Sequence, residues 1–322
     1  MKKTLITGVA GFIGFYAAKR ELEKGNYVIG VDNLNNYYEP KIKKDRLKIL
    51  KKEKNFLFFK EDLNSKNFYK KLKKYLKDIE VVIHLAGQAG VRYSIKNPES
   101  YILNNILAYI KLLEFFKFSK KLKTILYASS SSVYGEKGEN TLSNISVNKP
   151  VSVYSASKIS MELISNVYSK LYSMNLIGMR FFTVYGPWGR PDMSYFKFLI
   201  LNKKKKYIEI YNFGKHQRSF TYIDDLVSNM FKILSFYKKT KKRGDSSVFN
   251  LGNEKTIKLM NFLKILEKVT NIKFKKKFVN KQMGDVEKTE ANLMIEKKKF
   301  NLKFDYNLKI GLEKFYDWFK KY

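Results

Sequence analysis

A glycine pattern near the start of the chain constrains the fold more than any other feature of the sequence. Gly8, Gly11 and Gly14 follow a short apolar segment and open a helical one, in the order G-x-x-G-x-x-G. Glycines at this spacing allow a tight turn and close approach of strand, helix and pyrophosphate. The free N–H groups at the helix N-terminus can then bind phosphate oxygens. The pattern therefore predicts a parallel α/β sheet that binds a dinucleotide.

Short β-rich segments alternate with helical segments through the first half of the chain, as in an α/β doubly wound parallel (Rossmann) sheet. The predicted strands are Thr4–Thr7, Tyr27–Asp32, Phe56–Lys60, Val81–Ala86, Thr124–Ser129 and Leu176–Phe182, and the predicted helices are Phe12–Lys24, Lys66–Leu76, Tyr101–Phe118 and Val153–Leu171. Later strands are isolated, at Tyr207–Tyr211 and Ser247–Leu251. We expect a Rossmann domain at 1–182 with about 214–254, and a smaller mixed α/β substrate-binding lobe at 183–213 and 255–322.

Composition excludes several classes of protein. The chain has 322 residues, 44% hydrophobic and 29% charged, which is enough for a large core and unlike a disordered chain. No stretch approaches the ~20 apolar residues of a membrane span, and the first residues run directly into a strand pattern. Cysteine is absent and there are two histidines, so we expect no disulfide and no metal site. The interpretation is a cytoplasmic protein without a membrane partner.

The net charge of +35 comes from lysines spread along the whole chain. No zinc-finger spacing and no aromatic RNA-binding motif accompanies them. We interpret the lysines as solvated surface that attracts small anions, and expect no nucleic-acid partner.

The end of the second predicted strand indicates which dinucleotide is bound. Asp32 follows Gly14 by 18 positions, where a carboxylate accepts hydrogen bonds from the adenosine ribose and repels a 2′-phosphate. Asn33 follows Asp32, and no arginine stands beside it to bind NADP. Asp62 is expected near the adenine edge, and the small residues of Leu85–Gly87 let a cofactor lie against the backbone. The sequence therefore predicts NAD.

A tyrosine and a lysine four residues apart predict the chemistry. Tyr154 and Lys158 share one face of a helix. Tyrosine, with a pKa near ~10, is a poor base, but an ammonium and a positive nicotinamide nearby favour its phenolate. The serines of Ser129–Ser132 come earlier, at the end of the fifth strand, where one can align a reacting hydroxyl. Together with the glycine loop, these residues predict proton and hydride transfer.

In this combination, and over essentially its whole length, the chain resembles the extended short-chain dehydrogenases/reductases that act as NAD-dependent nucleotide-sugar epimerases and dehydratases. It is most similar to UDP-glucuronate 4-epimerases. The segments that carry this resemblance are Asp32–Tyr38, Gln88–Ser94, Ser129–Gly135 and Arg180–Met193.

The resemblance implies a mechanism and a cofactor site. Tyr154 is the base, Lys158 its electrostatic partner, and Ser130 orients the hydroxyl. Tyr154 takes the C4 hydroxyl proton while hydride passes to NAD⁺, and the rotated 4-keto sugar takes the hydride back on its other face. The implied cofactor-binding residues are Gly8, Gly11, Phe12, Ile13, Gly14, Asp32, Asn33, Asp62, Leu63, Leu85, Ala86, Gly87, Asn105, Tyr154 and Lys158.

The resemblance also implies a UDP-sugar (uronate) substrate. Arg218 would bind the diphosphate, Tyr211 would stack on the uracil, and Arg190 would bind the sugar carboxylate. From spacing alone, Arg190 could equally pair with Asp192. The implied substrate-binding residues are Arg92, Ser130, Ser131, Ser132, Thr183, Arg190, Tyr211, Arg218 and Asp285.

Alternative functions remain open at this point. Dehydratases of this kind carry Asp-Glu, and decarboxylases carry a Glu, where this chain has Ser131 and Ser132. We therefore do not expect dehydration, and decarboxylation is disfavoured but stays open because a 4-keto uronate is a β-keto acid. Another UDP-sugar 4-epimerase, acting on UDP-glucose/galactose or an N-acetylated sugar, and a UDP-glucuronate decarboxylase are the alternatives. A basic nucleic-acid-associated protein or an inactive Rossmann binding module is the rival from another class.

The helix predicted at Tyr101–Phe118 is apolar nearly all the way round. Such a helix must be covered on both sides, by its own sheet and by a further layer. The further layer is either a second subunit or another part of the same chain. We expect a homodimer, with the Tyr154 helix also at the contact.

Overall fold

The computed structural model describes residues 3–137 and 141–322. The strands are β1 (Lys3–Thr7), β2 (Tyr27–Asp32), β3 (Phe56–Lys60), β4 (Ile79–His84), β5 (Thr124–Ser130), β6 (Leu176–Phe181), β7 (Thr183–Tyr185), β8 (Ile208–Tyr211), β9 (Gln217–Tyr222), β10 (Val248–Leu251), β11 (Thr256–Lys258), β12 (Lys276–Val279) and β13 (Lys288–Thr289). The helices are α1 (Phe12–Glu23), α2 (Pro40–Leu50), α3 (Lys66–Leu72), α4 (Val91–Lys96), α5 (Pro98–Tyr101), α6 (Ala108–Phe116), α7 (Val153–Tyr172), α8 (Ser194–Lys203), α9 (Ile223–Lys239), α10 (Leu259–Thr270), α11 (Met294–Phe300) and α12 (Leu308–Lys321).

The main sheet has seven parallel strands in the order β10-β6-β5-β4-β1-β2-β3. Parallel strands are covered by helices on both faces and are therefore apolar throughout, and all six residues of β6 are buried. The order reverses beside β1, so a crevice opens at the carboxyl ends of β1 and β4. The predicted doubly wound parallel sheet is confirmed, and β10 extends it on the β6 side.

Smaller sheets follow the sixth strand and form the mixed lobe. β9 pairs in parallel with β7 and β13 and antiparallel with β11, while β8 pairs in parallel with β12. The domain boundaries stay a prediction. The strand pairings divide the segment 214–254, because β9 belongs to the second sheet and β10 to the main sheet.

The long helix predicted at Tyr101–Phe118 is built in three parts. α5 leads into a π-helical turn at Ile102–Leu107, which continues into α6. Single π turns widen a helix by one residue and often occur at functional sites. Here the turn leaves Ile102 and Leu103 half exposed while Asn105 is completely buried.

Helix α2 was not among the predicted elements. It begins with Pro40 in its first turn, after Glu39, whose side chain accepts a hydrogen bond from the Lys41 backbone N–H. Proline is well suited to the first helical turn. Across the part of the chain that the structure describes, no helix combines the length and the apolar character that crossing a membrane would take.

Candidate active site

The glycine loop joins β1 to α1 with almost no space around it. Gly8 has φ +68°, and a Cβ atom there would lie 2.7 Å from the backbone nitrogen of Ala86. A Cβ on Gly14 would overlap the carbonyl oxygen of Gly8. The loop therefore packs directly on the end of β4 and brings the N-terminus of α1 to the crevice, where its free N–H groups can bind phosphate.

Asp32 ends β2 beside this loop. Its carboxylate accepts hydrogen bonds from the backbone N–H of Ala10 at 3.2 Å and of Leu34 at 2.8 Å. Burial raises the pKa of Asp32, and the charge of Lys43 acts in the opposite direction. Asn33 donates to Asp62 at 2.8 Å, so the residues predicted for the ribose and the adenine edge adjoin each other.

The cavity at the carboxyl ends of the strands is lined by nearly all of the predicted cofactor-binding residues. The lining residues among them are Gly8, Gly11, Phe12, Ile13, Gly14, Asp32, Asn33, Asp62, Leu63, Leu85, Ala86, Gly87, Tyr154 and Lys158. Asn105 is not in the lining. Its side chain bonds to the backbone N–H of Gln88 at 2.7 Å and to the Gln88 carbonyl at 3.1 Å, so it supports the wall from behind.

The predicted catalytic residues meet at one side of this cavity. Ser130 ends β5, and Tyr154 and Lys158 lie on α7. Burial raises the pKa of Tyr154, whereas the hydrogen bond with Ser130 and the charge of Arg190 lower it. Burial lowers the pKa of Lys158 to about 8, although the charge of Glu162 partly opposes this. Lys158 Nζ donates to the carbonyl of Ala128 at 2.8 Å, which fixes the ammonium under the cavity.

A buried ion pair supports these residues and was missed from the sequence. Arg180 on β6 donates to both carboxylate oxygens of Glu162, at 2.9 and 2.7 Å, and both side chains are almost fully buried. Ser129 donates to the same carboxylate at 2.5 Å. Glu162 lies one helical turn after Lys158 on α7, and that i,i+4 spacing was the one signal available for it. The pair ties β5, β6 and α7 together behind Ser130, Tyr154 and Lys158.

A second cavity, of about 550 Å³, adjoins the first, and Tyr37 and Met193 line both. Its volume is in the range of small-ligand pockets. The predicted substrate-binding residues in its lining are Arg92, Thr183, Tyr211, Arg218 and Asp285. Ser131 and Ser132 lie outside the lining of both cavities, in the turn of 3₁₀ helix after β5, where Ser132 bonds to Ser130 at 3.2 Å.

The polar residues of the second cavity form two groups. Arg92 pairs with Asp285 at 2.7 Å, and its guanidinium lies 4.2 Å from the centre of the Tyr211 ring. Arg218 donates to the backbone carbonyls of Gln217 and Glu287, both at 2.8 Å, and its side chain is thereby fixed at the wall. A cation, a carboxylate and an aromatic ring in one cavity can bind a charged nucleotide.

Arg190 lines the first cavity near its junction with the second. Its guanidinium donates to both carboxylate oxygens of Asp192, at 3.0 and 2.6 Å. This is the pairing that the spacing alone left open. Tyr37, missed from the sequence as a site residue, lies between the two cavities and donates to Asp192 at 3.2 Å.

The two histidines have different surroundings. His84 is completely buried, its Nδ1 lies 2.8 Å from the Thr7 hydroxyl, and its ring stacks on Tyr109. Burial lowers the pKa of His84 to about 3, so it is a neutral packing residue. His216 lines the second cavity.

Comparisons with known proteins agree with this geometry. A model of the NAD dependent epimerase/dehydratase family matches residues 4–252. The chain is 44% identical to the uncharacterized protein MJ1055 of Methanocaldococcus jannaschii, over 99% of this chain and 96% of that protein. It is 40% identical to UDP-glucuronate 4-epimerase 4 of Arabidopsis thaliana, over 99% of this chain and 75% of that protein. The crystal structure of UDP-glucuronic acid 4-epimerase from Bacillus cereus, in complex with UDP-glucuronic acid and NAD, superposes with a TM-score of 0.91, 32% identity and 99% coverage of both chains.

Proposed function

Because the chain belongs to the NAD dependent epimerase/dehydratase family, we propose that it is an NAD-dependent 4-epimerase that interconverts UDP-glucuronate and UDP-galacturonate. The resemblance identified from the sequence motifs is confirmed by the same findings. One observation carries the choice of reaction. Tyr154 and Ser130 line the same cavity as the glycine loop, Asp32 and Arg190, and that cavity adjoins a second one with further arginines.

The residues of the first cavity fit NAD. Gly8 and Gly14 let the loop pack tightly on itself and on the end of β4, since a Cβ atom at either position would collide with backbone. This packing presents the N-terminus of α1 to the cavity, where its N–H groups can bind a pyrophosphate. Asp32 presents a buried carboxylate where a ribose diol can donate to it and a 2′-phosphate would be repelled. When bound there, NAD⁺ accepts a hydride from the sugar and returns it.

Tyr154 moves the proton. Its phenol lies within reach of the Ser130 hydroxyl, which can hold the C4 hydroxyl of the sugar in line with it. Burial alone favours the neutral phenol, so Tyr154 needs positive charge nearby to act as a base. Arg190 already lowers its pKa, and the fixed ammonium of Lys158 adds positive charge below the cavity.

The second cavity holds the nucleotide in this proposal. Tyr211 stacks on the uracil, Arg218 and Arg92 face the diphosphate, and Asp285 bonds to the nucleotide. Thr183 faces the sugar, and Arg190 binds its carboxylate through a two-pronged charge-assisted hydrogen bond. Held near the plane of the ring, the carboxylate cannot align its C–C bond with the C4 ketone, and loss of CO₂ from the 4-keto sugar is suppressed.

Product analysis tests the proposal. The purified protein is incubated separately with UDP-glucuronate, UDP-glucose and UDP-N-acetylglucosamine, and the products are resolved by chromatography. UDP-galacturonate from UDP-glucuronate alone supports the proposal. Turnover of the neutral sugars favours the broader 4-epimerase, and UDP-pentose as the main product favours the decarboxylase.

The proposal includes a homodimer in the cytoplasm. Exposed apolar side chains lie on the π turn and on α7, which contacts it; Leu103, Leu163 and Leu171 are among them, and a second subunit can cover them. A role in polysaccharide biosynthesis, which consumes nucleotide-activated sugars, is part of the same proposal.

A further inference from the structure

Arg46 is a completely buried cation that none of the reaction steps uses. It lies on α2, and all five of its N–H groups are engaged. Nη1 donates to the Ala10 carbonyl at 2.7 Å and to the Tyr38 hydroxyl at 3.0 Å. Nε and Nη2 donate to the Trp188 carbonyl at 3.1 and 2.5 Å, and Nη2 also donates to the Gly189 carbonyl at 3.1 Å.

Every one of these acceptors is an uncharged oxygen. A buried guanidinium that is not directly paired with a carboxylate loses its hydration and costs folding free energy. Five hydrogen bonds in the fixed planar fork of arginine offset that cost. Four of the five end on backbone carbonyls, so they define the shape of the backbone there.

Those carbonyls belong to the two loops that line the first cavity. Ala10 lies inside the glycine loop. Trp188 and Gly189 immediately precede Arg190 in the second loop. The side chain of Arg46 therefore links the loop that approaches the cofactor pyrophosphate to the loop that carries Arg190.

The second loop has a backbone that needs such a restraint. Trp188 has φ +58°, in the left-handed region, which a bulky side chain rarely adopts. Two hydrogen bonds from Arg46 meet its carbonyl oxygen, and its ring contacts Phe15, Trp318 and Tyr322. The conformation that aims Arg190 into the cavity is thus fixed from the backbone side by Arg46.

We infer that Arg46 is a positioning residue that fixes Arg190 for recognition of the sugar carboxylate and joins that recognition loop to the cofactor loop. The inference rests on the proposed function, because it takes Arg190 as the group that binds the carboxylate. A loosely held arginine loses the two-pronged geometry on which its discrimination depends.

A double-mutant cycle tests this inference. All proteins carry Tyr154→Phe, so that ligand is not converted while it binds, and NAD is saturating. Arg46→Lys keeps the charge and removes the fork. We expect it to weaken UDP-glucuronate binding by about tenfold in calorimetry, while UDP binding changes by no more than about twofold. In the Arg190→Ala background, Arg46→Lys should have no further effect on UDP-glucuronate, because its action passes through Arg190.

Arg243→Lys is the control. Arg243 also donates to a backbone carbonyl, that of Leu122 at 2.8 Å, but it lines neither cavity. It should leave both affinities unchanged. If Arg46→Lys does not fold, Arg46→Gln replaces it, since a neutral amide keeps two N–H groups without burying an ammonium.

The outcomes separate the inference from the proposed function. Equal weakening of UDP and UDP-glucuronate, or additive effects of the Arg46 and Arg190 changes, overturns the role of Arg46 while carboxylate recognition stands. If Arg190→Ala alone leaves UDP-glucuronate affinity unchanged, the proposed recognition fails and the inference fails with it. If neither Arg46 variant folds, Arg46 serves the fold as a whole and the inference is overturned.

Discussion

Asp192 accepts two hydrogen bonds from the guanidinium of Arg190, from Nε at 3.0 Å and from Nη2 at 2.6 Å. The Tyr37 hydroxyl donates to the same carboxylate at 3.2 Å. Asp192 thus engages two of the five N–H groups of Arg190, and a uronate carboxylate can bind the same guanidinium through the others. Asp192 and the substrate therefore share one positive charge, and repulsion between the two carboxylates lowers the binding free energy that the substrate carboxylate contributes.

Replacing Asp192 by Asn should strengthen UDP-glucuronate binding. The neutral amide keeps the size of the side chain but competes less for Arg190 and does not repel the substrate carboxylate. A gain of ~0.5–1.5 kcal/mol, roughly 2- to 12-fold in affinity, is expected by calorimetry. UDP-glucose, which has no carboxylate, serves as the control and should bind as before. Weaker binding of UDP-glucuronate would instead show that Asp192 orients Arg190.

Arg190→Ala should raise the Michaelis constant for UDP-glucuronate by roughly 10- to 150-fold, because a charge-assisted pair contributes ~1.5–3 kcal/mol. Without Arg190, the carboxylate is no longer held near the ring plane. The 4-keto uronate should then lose some CO₂, and UDP-pentose should appear among the products. Chromatography of the reaction mixture and initial rates measure both. A variant that binds UDP-glucuronate like wild type and releases no pentose contradicts carboxylate recognition by Arg190.

Tyr154→Phe should keep the fold and the bound NAD but lose epimerisation by at least ~10²–10⁴-fold. The ring remains in place beside Tyr101, while the proton acceptor is gone. NAD content after purification and the rate of UDP-galacturonate formation measure the two properties. Activity within a few-fold of wild type would contradict the assignment of Tyr154 as the base.

Lys158 should make the stability of the protein depend on pH. The unfolded chain keeps the Lys158 proton up to about pH 10.5, whereas burial lowers the pKa in the folded protein to about 8. Between these values the unfolded state binds more protons, so wild type should gain stability relative to Lys158→Met as the pH rises. Between pH 8 and pH 10.5 the free energy of unfolding of wild type should rise by about 3 kcal/mol relative to that of Lys158→Met.

Urea unfolding of wild type and Lys158→Met at pH 7 and at pH 10.5 measures this difference. The comparison cancels the titration of the other lysines, which both proteins share. A difference in unfolding free energy that stays constant with pH would mean that Lys158 has an ordinary pKa in the folded protein.

The homodimer should depend on the exposed apolar side chains of α7. Leu163 and Leu171 are 63% and 68% exposed, and charges at both positions should give monomers in light scattering at micromolar concentration. Ile310→Glu, at an exposed apolar position on α12, is the matched control and should leave the dimer intact. Wild type that scatters as a monomer under these conditions contradicts the proposed dimer.

Local sequence patterns were sufficient to predict the main sheet and the residues that the structure brings together at its cavity; their catalytic roles stay a prediction. The glycine loop, Asp32, and the Tyr154/Lys158 pair each lie within one turn or one helix face, where spacing in the sequence is also spacing in the structure. Six strands were predicted to within a few residues, because buried parallel strands are continuously apolar.

Contacts between distant segments could not be predicted in this way. The acceptors of Arg46 lie 8 to 143 positions away along the chain. Helix α2, which carries Arg46, was not predicted, because lysines fill much of its sequence and obscure the apolar pattern. The pair of Glu162 and Arg180 joins a helix to a strand, and each residue alone reads as an ordinary surface charge. Whether Arg190 pairs with Asp192 or with a ligand depends on the backbone geometry of the loop, which the spacing of residues in the sequence does not give.

The π turn at Ile102–Leu107 contributes both to the surface proposed for a second subunit and to the wall of the cofactor cavity. Its outer side chains lie on the surface assigned to a second subunit, and its buried Asn105 holds the backbone of Gln88 at the wall of the cofactor cavity. In the proposed dimer this shared turn couples assembly to cofactor binding, and the factor by which dimerisation tightens NAD binding must equal the factor by which NAD tightens dimerisation. We expect dilution of the enzyme to release its NAD, and loss of NAD to loosen the pair of subunits.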